Sequence, residues 1–348
     1  MSYEAELRKR EATKDKDGNI KRDKKGVAEK APFDTESWYR FGRHQNLDKQ
    51  EISKLIVAQT VPKLRVCNDL SGEFYINNVR VNGIAAAPGV DPWFLLGMLN
   101  APVCDFVFRR IAKVKAGGYF EANKQFIAPL PIPPADDEQK GKVAILAKGL
   151  QEKHTKRRDL LAGLEKRMGK VRHKDRPLSF LFPDQKTAAD LKEDAPKALD
   201  SASKQEWAKL RYEEEVQGRY DVITARLSPS ASMEAEFTDG ELLFRIDGVT
   251  VLAGIFLDEA EGPFIAAQWK VIAQTFNVTD KADGKKLCNA LRKLADTDNK
   301  ALIDQIISRQ KELAALEAEI EKDEAEINEL TFKLYGLTDE ETAMVLAG

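Results

Sequence analysis

Between Trp38 and Val66 the sequence reads WYRFGRHQNLDKQEISKLIVAQTVPKLRV, gathering Arg40, Arg43, Gln45 and Asn46 among the rings of Trp38, Tyr39 and Phe41, then adding Lys63 and Arg65. Arginine, glutamine and asparagine carry paired donors and acceptors that match base edges, and lysine and arginine hold phosphates. The chemistry on offer is the gripping and reading of a polyanion. Bond-making chemistry has no comparable signal. The chain has no GxxxxGK[ST] phosphate loop, no nucleophile elbow and no HExxH, and His44, His154 and His173 have no ligand spacing. Cys67, Cys104 and Cys288 are scattered and lack a Cys-x-x-Cys pair, so neither a disulfide framework nor a zinc site is expected, and a reducing compartment suits them.

Asp91-Pro92-Trp93-Phe94 is superficially similar to the [DNS]PP[YFW] signature of enzymes that methylate an exocyclic amino group of a base. Trp93 stands where that signature needs its second proline. Asp91 as an N-cap with Pro92 in the first turn explains the segment better.

The elements that must position these residues are read from periodicity and turn chemistry. Residues 1–32 are charged and poor in apolar side chains, which predicts a solvated arm or linker. Lys63–Val66 and Glu73–Ile76 are expected to be short strands flanking an Asp69–Gly72 turn, with Val79–Ile84 as another. One helix is expected from Asp91 through Ile111, and the proline run from Pro129 to Pro134 closes the segment.

Beyond it, Val143, Leu146, Leu150, Leu161, Leu164 and Met168 mark a helix from about Asp136 to Met168. Ile306, Leu313, Ile320, Ile327 and Leu334 recur every seven residues, with Leu316 and Leu330 at the second seam position and Arg309 and Asp323 interrupting it. That pattern predicts a helix over 301–335 laid against one neighbour, with its acidic face open to solvent or a partner. Between the two lies a segment with a helix near Lys204–Gly218, a β-meander turning at Asp239-Gly240 and Asp247-Gly248, and helices near Pro263–Phe276 and Ala282–Ala295. If the long helices pack antiparallel, that segment has neighbouring ends and is expected to be removable.

The fold class is therefore mixed α/β (α+β). It comprises a charged arm (1–32), a first domain (33–134), a spacer helix (135–169), an inserted helix and β-meander subdomain (170–300), and a second spacer helix with an acidic tail (301–348). The formal net charge of -2 hides an asymmetry, because residues 31–130 hold 12 Lys and Arg against 9 Asp and Glu, whereas residues 301–348 hold 4 against 12. No apolar run is long enough to span a bilayer and Met1 is followed by SYEAELRKRE, so a cytoplasmic protein is expected.

WYRFGRHQNL (38–47), VPKLRV (61–66), YINNVRVNGI (75–84), LLGMLNAPVCDFVFRRI (95–111) and GGYFEANKQFIAPLPIP (117–133), with EINELTFKLYGLTDEE (326–341) at the end, together resemble the TaqI-like C-terminal specificity domain of adenine-specific DNA methyltransferases, including fused restriction-modification and phage-defence enzymes. The likeness covers about half of the chain; the inserted segment matches nothing comparable. It implies a target-recognition domain for double-stranded DNA. Arg40, Arg43, Gln45, Asn46, Lys63, Arg65, Asn77, Asn78, Arg80 and Asn82 would then line a DNA-facing groove. Lys113, Lys115, Tyr119 and Lys124 would hold phosphates beside Gly117 and Gly118. It also implies a partner: a catalytic domain or subunit that holds S-adenosylmethionine and the extruded adenine, without which this chain is expected to transfer no methyl group.

The residues alone leave a bland reading beside each of these. Asn77 and Asn78 fit a turn, Arg109 and Arg110 fit the C-terminal end of a helix, and the aromatics fit a core. A helical module that docks a partner without reading DNA is the competing class.

Overall fold

In the computed structural model of the chain, residues 11–12, 15–17, 19–27, 30–31, 49–76, 80–278 and 283–348 are described. They divide into two compact units. One spans residues 1–52 and 71–75, and the other spans 53–70 and 76–348.

In the first unit, β1 (Glu11–Ala12) pairs antiparallel with β2 (Lys30–Ala31). Between them are two aspartate-anchored turns. Asp15 Oδ1 accepts from the amides of Asp17 (3.0 Å) and Asn19 (2.8 Å), and Asp23 Oδ1 from those of Lys25 (2.8 Å) and Val27 (2.9 Å). The expected arm thus carries local structure, because aspartate satisfies turn amides without any apolar core. Tyr75 donates to Glu51 in the same unit.

The second unit begins with β3 (Lys54–Ala58), β4 (Thr60–Val61), β5 (Val66–Asp69) and β6 (Val81–Ile84). β3 is the centre of the sheet β5-β3-β6, with Leu55, Val57 and the Lys54–Asp69 ion pair (2.5 Å) all buried. The segment Lys63–Val66 alternates as a strand does, since Leu64 and Val66 are buried while Lys63 and Arg65 are exposed. It nevertheless joins no ladder before Val66. Its backbone is held by side chains instead: Asp105 accepts from the Leu64 amide (2.7 Å), and the Asn100 amide group bonds both N–H and C=O of Val66 (2.9 Å each). Glu73–Ile76 forms no strand either; Phe74 and Tyr75 are both exposed, without the alternation of a half-buried strand.

The expected single helix from Asp91 is two, α1 (Pro92–Asn100) and α2 (Pro102–Ile111). Pro102 removes an amide and forces Ala101 to an extended ψ of 146°, so the chain turns there. Asp91 caps α1 as expected, its Oδ1 accepting from Trp93 (2.7 Å) and Phe94 (3.2 Å). A second small sheet follows from β7 (Val114–Lys115) and β8 (Tyr119–Glu121), in the order β4-β8-β7, before the short α3 (Lys124–Ile127).

The helix α4 (Asp137–Met168) starts at a capping box between Asp136 and Gln139. Then come β9 (Arg172–Asp175), α5 (Ala188–Glu193), α6 (Ser201–Thr224), the meander β10 (Met233–Thr238), β11 (Glu241–Ile246) and β12 (Val249–Phe256), and α7 (Gly262–Thr275), α8 (Gly284–Arg292) and β13 (Lys293–Asp296). Asp239 (φ 51°) with Gly240 (79°), and Asp247 (49°) with Gly248 (73°), make the two-residue turns that match strand twist. β9 pairs antiparallel with β13, Arg172 opposite Asp296, which brings the two ends of this segment side by side.

The chain closes with α9 (Lys300–Tyr335) and α10 (Asp339–Ala347), the latter entered through the Thr338–Glu341 capping box. α9 runs antiparallel to α4. Ile306, Leu313, Leu316, Ile320 and Ile327 are buried in the seam with Val143, Leu150, Leu161 and Leu164 of α4. Asp323 interrupts the apolar repeat because it receives Lys153 at 2.9 Å. Around it Lys153 meets Glu319 (3.2 Å), His154 meets Glu324 (3.2 Å), Lys156 meets Glu312 (3.2 Å) and Arg157 meets Glu317 (2.8 Å). Much of the acidic face is therefore engaged within the chain. These pairs are partly exposed and each is worth under about 1 kcal/mol.

The hydrogen bond from His154 holds the Glu324 carboxyl below its ordinary range. A carboxyl with a lower folded than unfolded pKa adds stability above the unfolded value and loses it as pH falls through the folded one. Glu324→Gln is expected to destabilise the protein by under about 1 kcal/mol at about pH 5 and by less at about pH 3. Urea unfolding at the two pH values checks it; an equal effect at both would reject the coupling.

One expectation changes with α7. Its sequence GPFIAAQWKVIAQT is apolar almost all round. Phe264, Ala267 and Val271 pack into the α4–α9 seam, while Ile265, Ala266, Trp269 and Ala273 pack under the meander with Leu242, Phe244 and Leu252. The segment 170–300 has neighbouring ends, yet it shares a core with the helices that flank it, so its removal is expected to disturb their packing.

Candidate nucleic-acid interface

The β4-β8-β7 sheet fixes the geometry of the best-placed cations. Val61 pairs with Phe120 and Lys115 with Tyr119, so the chain leaving β4 toward Lys63 runs alongside the turn that joins β7 to β8. That turn is Gly117-Gly118, with φ of 74° and 76°. Two successive left-handed residues suit glycine alone, and a side chain built at Gly118 would meet nothing within 4 Å. The backbone there is open to a ligand.

The surrounding charges are not equivalent. Lys63 and Lys124 are exposed, as is Lys113, and none of the three has an acidic side chain within ion-pair distance among the described residues. Lys115 has one: Glu121, at 2.9 Å, which Lys115 in turn holds below the usual carboxylate range. Asn123 donates to the same carboxylate (3.1 Å) and caps α3 through Gln125 N–H (3.2 Å). Tyr119 is half-buried in this sheet.

Asn82 is not available to a ligand as its type suggests, because its amide donates to the Ala122 carbonyl at 2.7 Å and ties β6 to the second sheet. Arg80 is exposed beside it, its carbonyl accepting from Gln59 N–H at 2.7 Å. Arg40, Arg43, Gln45, Asn46, Asn77 and Asn78 lie outside the described residues. The structure thus places Lys115 and Tyr119 on the β7–β8 hairpin with Gly117 and Gly118 at its turn, Lys113 at the opposite end of that hairpin and Lys124 at the start of α3, sets Lys63 in the segment that leaves β4, and turns Asn82 inward.

Lys63 and Arg65 also stand at the mouth of a groove of about 710 Å³. It lies between the 63–67 segment, the α1–α2 junction, the facing sides of α4 and α9, and α10. Gln151, His154, Glu324 and Asn328 line it, none of which the sequence motifs single out. Their only sequence signal is position, since Glu324 and Asn328 flank Ile327 on the seam. Arg109 reaches this groove and sits 3.2 Å from Asp105 rather than serving only as a helix-end cation. Arg110 does close its helix, donating to the Phe106 carbonyl at 3.0 Å.

Beneath the interface, Tyr335 at the end of α9 donates to the Pro131 carbonyl (2.7 Å) and lies 3.3 Å from the Cys104 sulfur. Burial pushes that thiol up to about 11, and the buried Cys288 thiol to about 12. Among the described residues no cluster of His, Cys, Asp or Glu is arranged to hold a metal ion, and no helix is long and apolar enough to cross a membrane. Comparison with protein-family models and with curated proteins gives no match to this chain.

Proposed function

We propose that the chain binds double-stranded DNA through residues 33–134, as the target-recognition part of an adenine-specific DNA methyltransferase. The observation that carries this reading is the set of exposed cations without an ion-pair partner among the described residues: Lys63 on the chain leading toward the open Gly117-Gly118 turn, and Lys113 and Lys124 toward the other end of the β7–β8 hairpin. Exposed lysines beside accessible backbone amides suit a row of phosphates. The order of the motifs from Trp38 to Pro133 supports the same reading from the sequence side. Base reading would fall to some of Arg40, Arg43, Gln45, Asn46 and Arg65, and methyl transfer to a catalytic domain or subunit holding S-adenosylmethionine. A role limited to docking a partner on the long helices has less support, because their apolar stripes and many of their charges are engaged with each other.

Titration of duplex DNA at several salt concentrations tests the proposal. Binding is expected to be weak and to fall with salt by counterion release. Lys63→Ala, Lys113→Ala and Lys124→Ala together are expected to weaken binding to every sequence and to flatten the log–log salt slope by about 0.9 for each phosphate no longer neutralised. Lys115→Ala is expected to do less, since Glu121 already neutralises that cation, and Glu121→Gln to strengthen binding. Arg40→Ala or Arg43→Ala is expected to cost about 1–3 kcal/mol, mainly at the preferred site, where that arginine reads a base. No binding at low salt, or unchanged affinity in the triple variant, would reject the reading.

A further inference from the structure

The groove between the 63–67 segment and the α4–α9 seam has a composition that duplex phosphates do not explain. Its floor is apolar, made by Leu96, Leu150, Ile327 and Val345. Several of its polar groups are already committed. Asn100 spends its amide on Val66 and on the Leu96 carbonyl (3.0 Å), Asp105 on Leu64 and Arg109, and Glu324 on His154. Four groups remain. Arg65 gives one N–H to the Leu64 carbonyl (3.1 Å) and, like Lys63, has no acidic partner within ion-pair distance among the described residues. The Gln151 amide nitrogen and the Asn328 side chain have no hydrogen-bond partner there among the described residues; Gln151 uses only its oxygen, on Asn68 N–H (3.4 Å).

Lys63 and Arg65, neither in an ion pair although Arg65 lies near enough to Glu324 to help hold its carboxyl down, line the groove together with two unused amides and an apolar floor, and these define a ligand. It is flat and apolar at one end, has donors and acceptors on its edge, and carries one to two negative charges at the other. A phosphate monoester carries about -1.5 to -2 at neutral pH, and a base offers the edge that amides recognise. The volume of about 710 Å³ lies within the range of small-ligand sites, roughly 300–1,000 Å³. Inorganic phosphate would leave the floor and both amides unused. An acidic peptide would need cations along its length, not at one end.

From this we infer that the groove is a nucleotide site, with Arg65 and Lys63 on the phosphate and Gln151 and Asn328 on the base edge. The inference shares Lys63 with the DNA-binding proposal but rests on different geometry. The nucleotide is either free, with a phosphate monoester, or an unpaired unit of a bound strand, with a singly charged diester; both offer a base edge and an anionic phosphate to the same residues.

Calorimetry on the full chain at roughly 50 mM salt, with adenosine monophosphate, adenosine and inorganic phosphate as separate probes, tests it. The monophosphate is expected to bind about tenfold or more tighter than either part alone. Arg65→Ala, an exposed loop change, is expected to weaken it about tenfold or more, and Asn328→Trp, which fills the groove from the seam's edge, to abolish it. Lys113→Ala and Lys124→Ala are expected to leave it unchanged. A duplex carrying one unpaired adenine, compared with the same duplex carrying an abasic position there, separates the sources. A preference for the adenine that vanishes in Asn328→Trp identifies a strand nucleotide; equal binding alongside tight monophosphate binding identifies a free one. The inference is overturned if the monophosphate binds no better than phosphate and the adenine gives no preference, or if Arg65→Ala and Asn328→Trp change neither signal. Either result with duplex binding still sensitive to Lys113 and Lys124 removes the groove and leaves the DNA-binding proposal in place.

Discussion

Trp269→Ala is expected to lower the unfolding free energy by about 3–5 kcal/mol, the range for emptying a large aromatic site in a packed core. The indole is fully buried, meets Phe244 and Phe180 edge-on at 5.8 and 6.1 Å, and donates to the Leu291 carbonyl at 2.9 Å. Truncation therefore leaves a void and an unsatisfied acceptor together. Trp269→Phe keeps most of the packing and loses the donor, so it is expected to cost less, about 1–3 kcal/mol. Urea unfolding of both variants, followed by circular dichroism, measures the two terms separately. A midpoint unchanged in Trp269→Ala would place α7 outside the cooperative core.

Excising residues 176–292 and joining β9 to β13 with a short Gly/Ser linker is expected to abolish cooperative unfolding. The join itself is easy, since the two strands are hydrogen-bonded neighbours. The loss comes from α7, which takes Phe264, Ala267 and Val271 out of the core that holds α4 against α9. Removing a buried Phe alone costs about 3–5 kcal/mol, a large part of the roughly 5–15 kcal/mol that stabilises a typical domain. Retained helicity with a broad melt and binding of an apolar dye is the expected outcome. A sharp transition at the parent temperature would restore the view of a detachable insertion.

Local rules carry the long helices, their caps and the meander, because each depends on residues within a turn or a seven-residue repeat of one another. Asp136 with Gln139, Thr338 with Glu341, and the Asp-Gly turns are of this kind. The elements that local rules miss have physical causes too. β3 escapes them because KLIVA is buried or partly buried at four of its five residues, and an unalternating apolar run carries no period. Lys63–Val66 has the alternation of a strand, yet its amides go to Asp105 and Asn100, partners no spacing rule supplies. β9 and β13 are short, polar at β9, and far apart in the chain. The lysines of the interface are legible as a type but not in their state, since only the fold reveals that Glu121 occupies Lys115 and that Ala122 occupies Asn82. The groove is not legible at all, being assembled from well-separated stretches of sequence.

The seam between α4 and α9 also constrains how copies of the protein meet. Every lysine and arginine in its ion pairs comes from α4 and every carboxylate from α9. Two α9 helices brought together from different molecules would set carboxylate against carboxylate, and two α4 helices would set ammonium against guanidinium. Like charges held this way act against homotypic association without adding much to the fold itself. An exchange of α9 between two molecules is different: it would regenerate each pair unaltered, so the charge pattern does not oppose domain swapping.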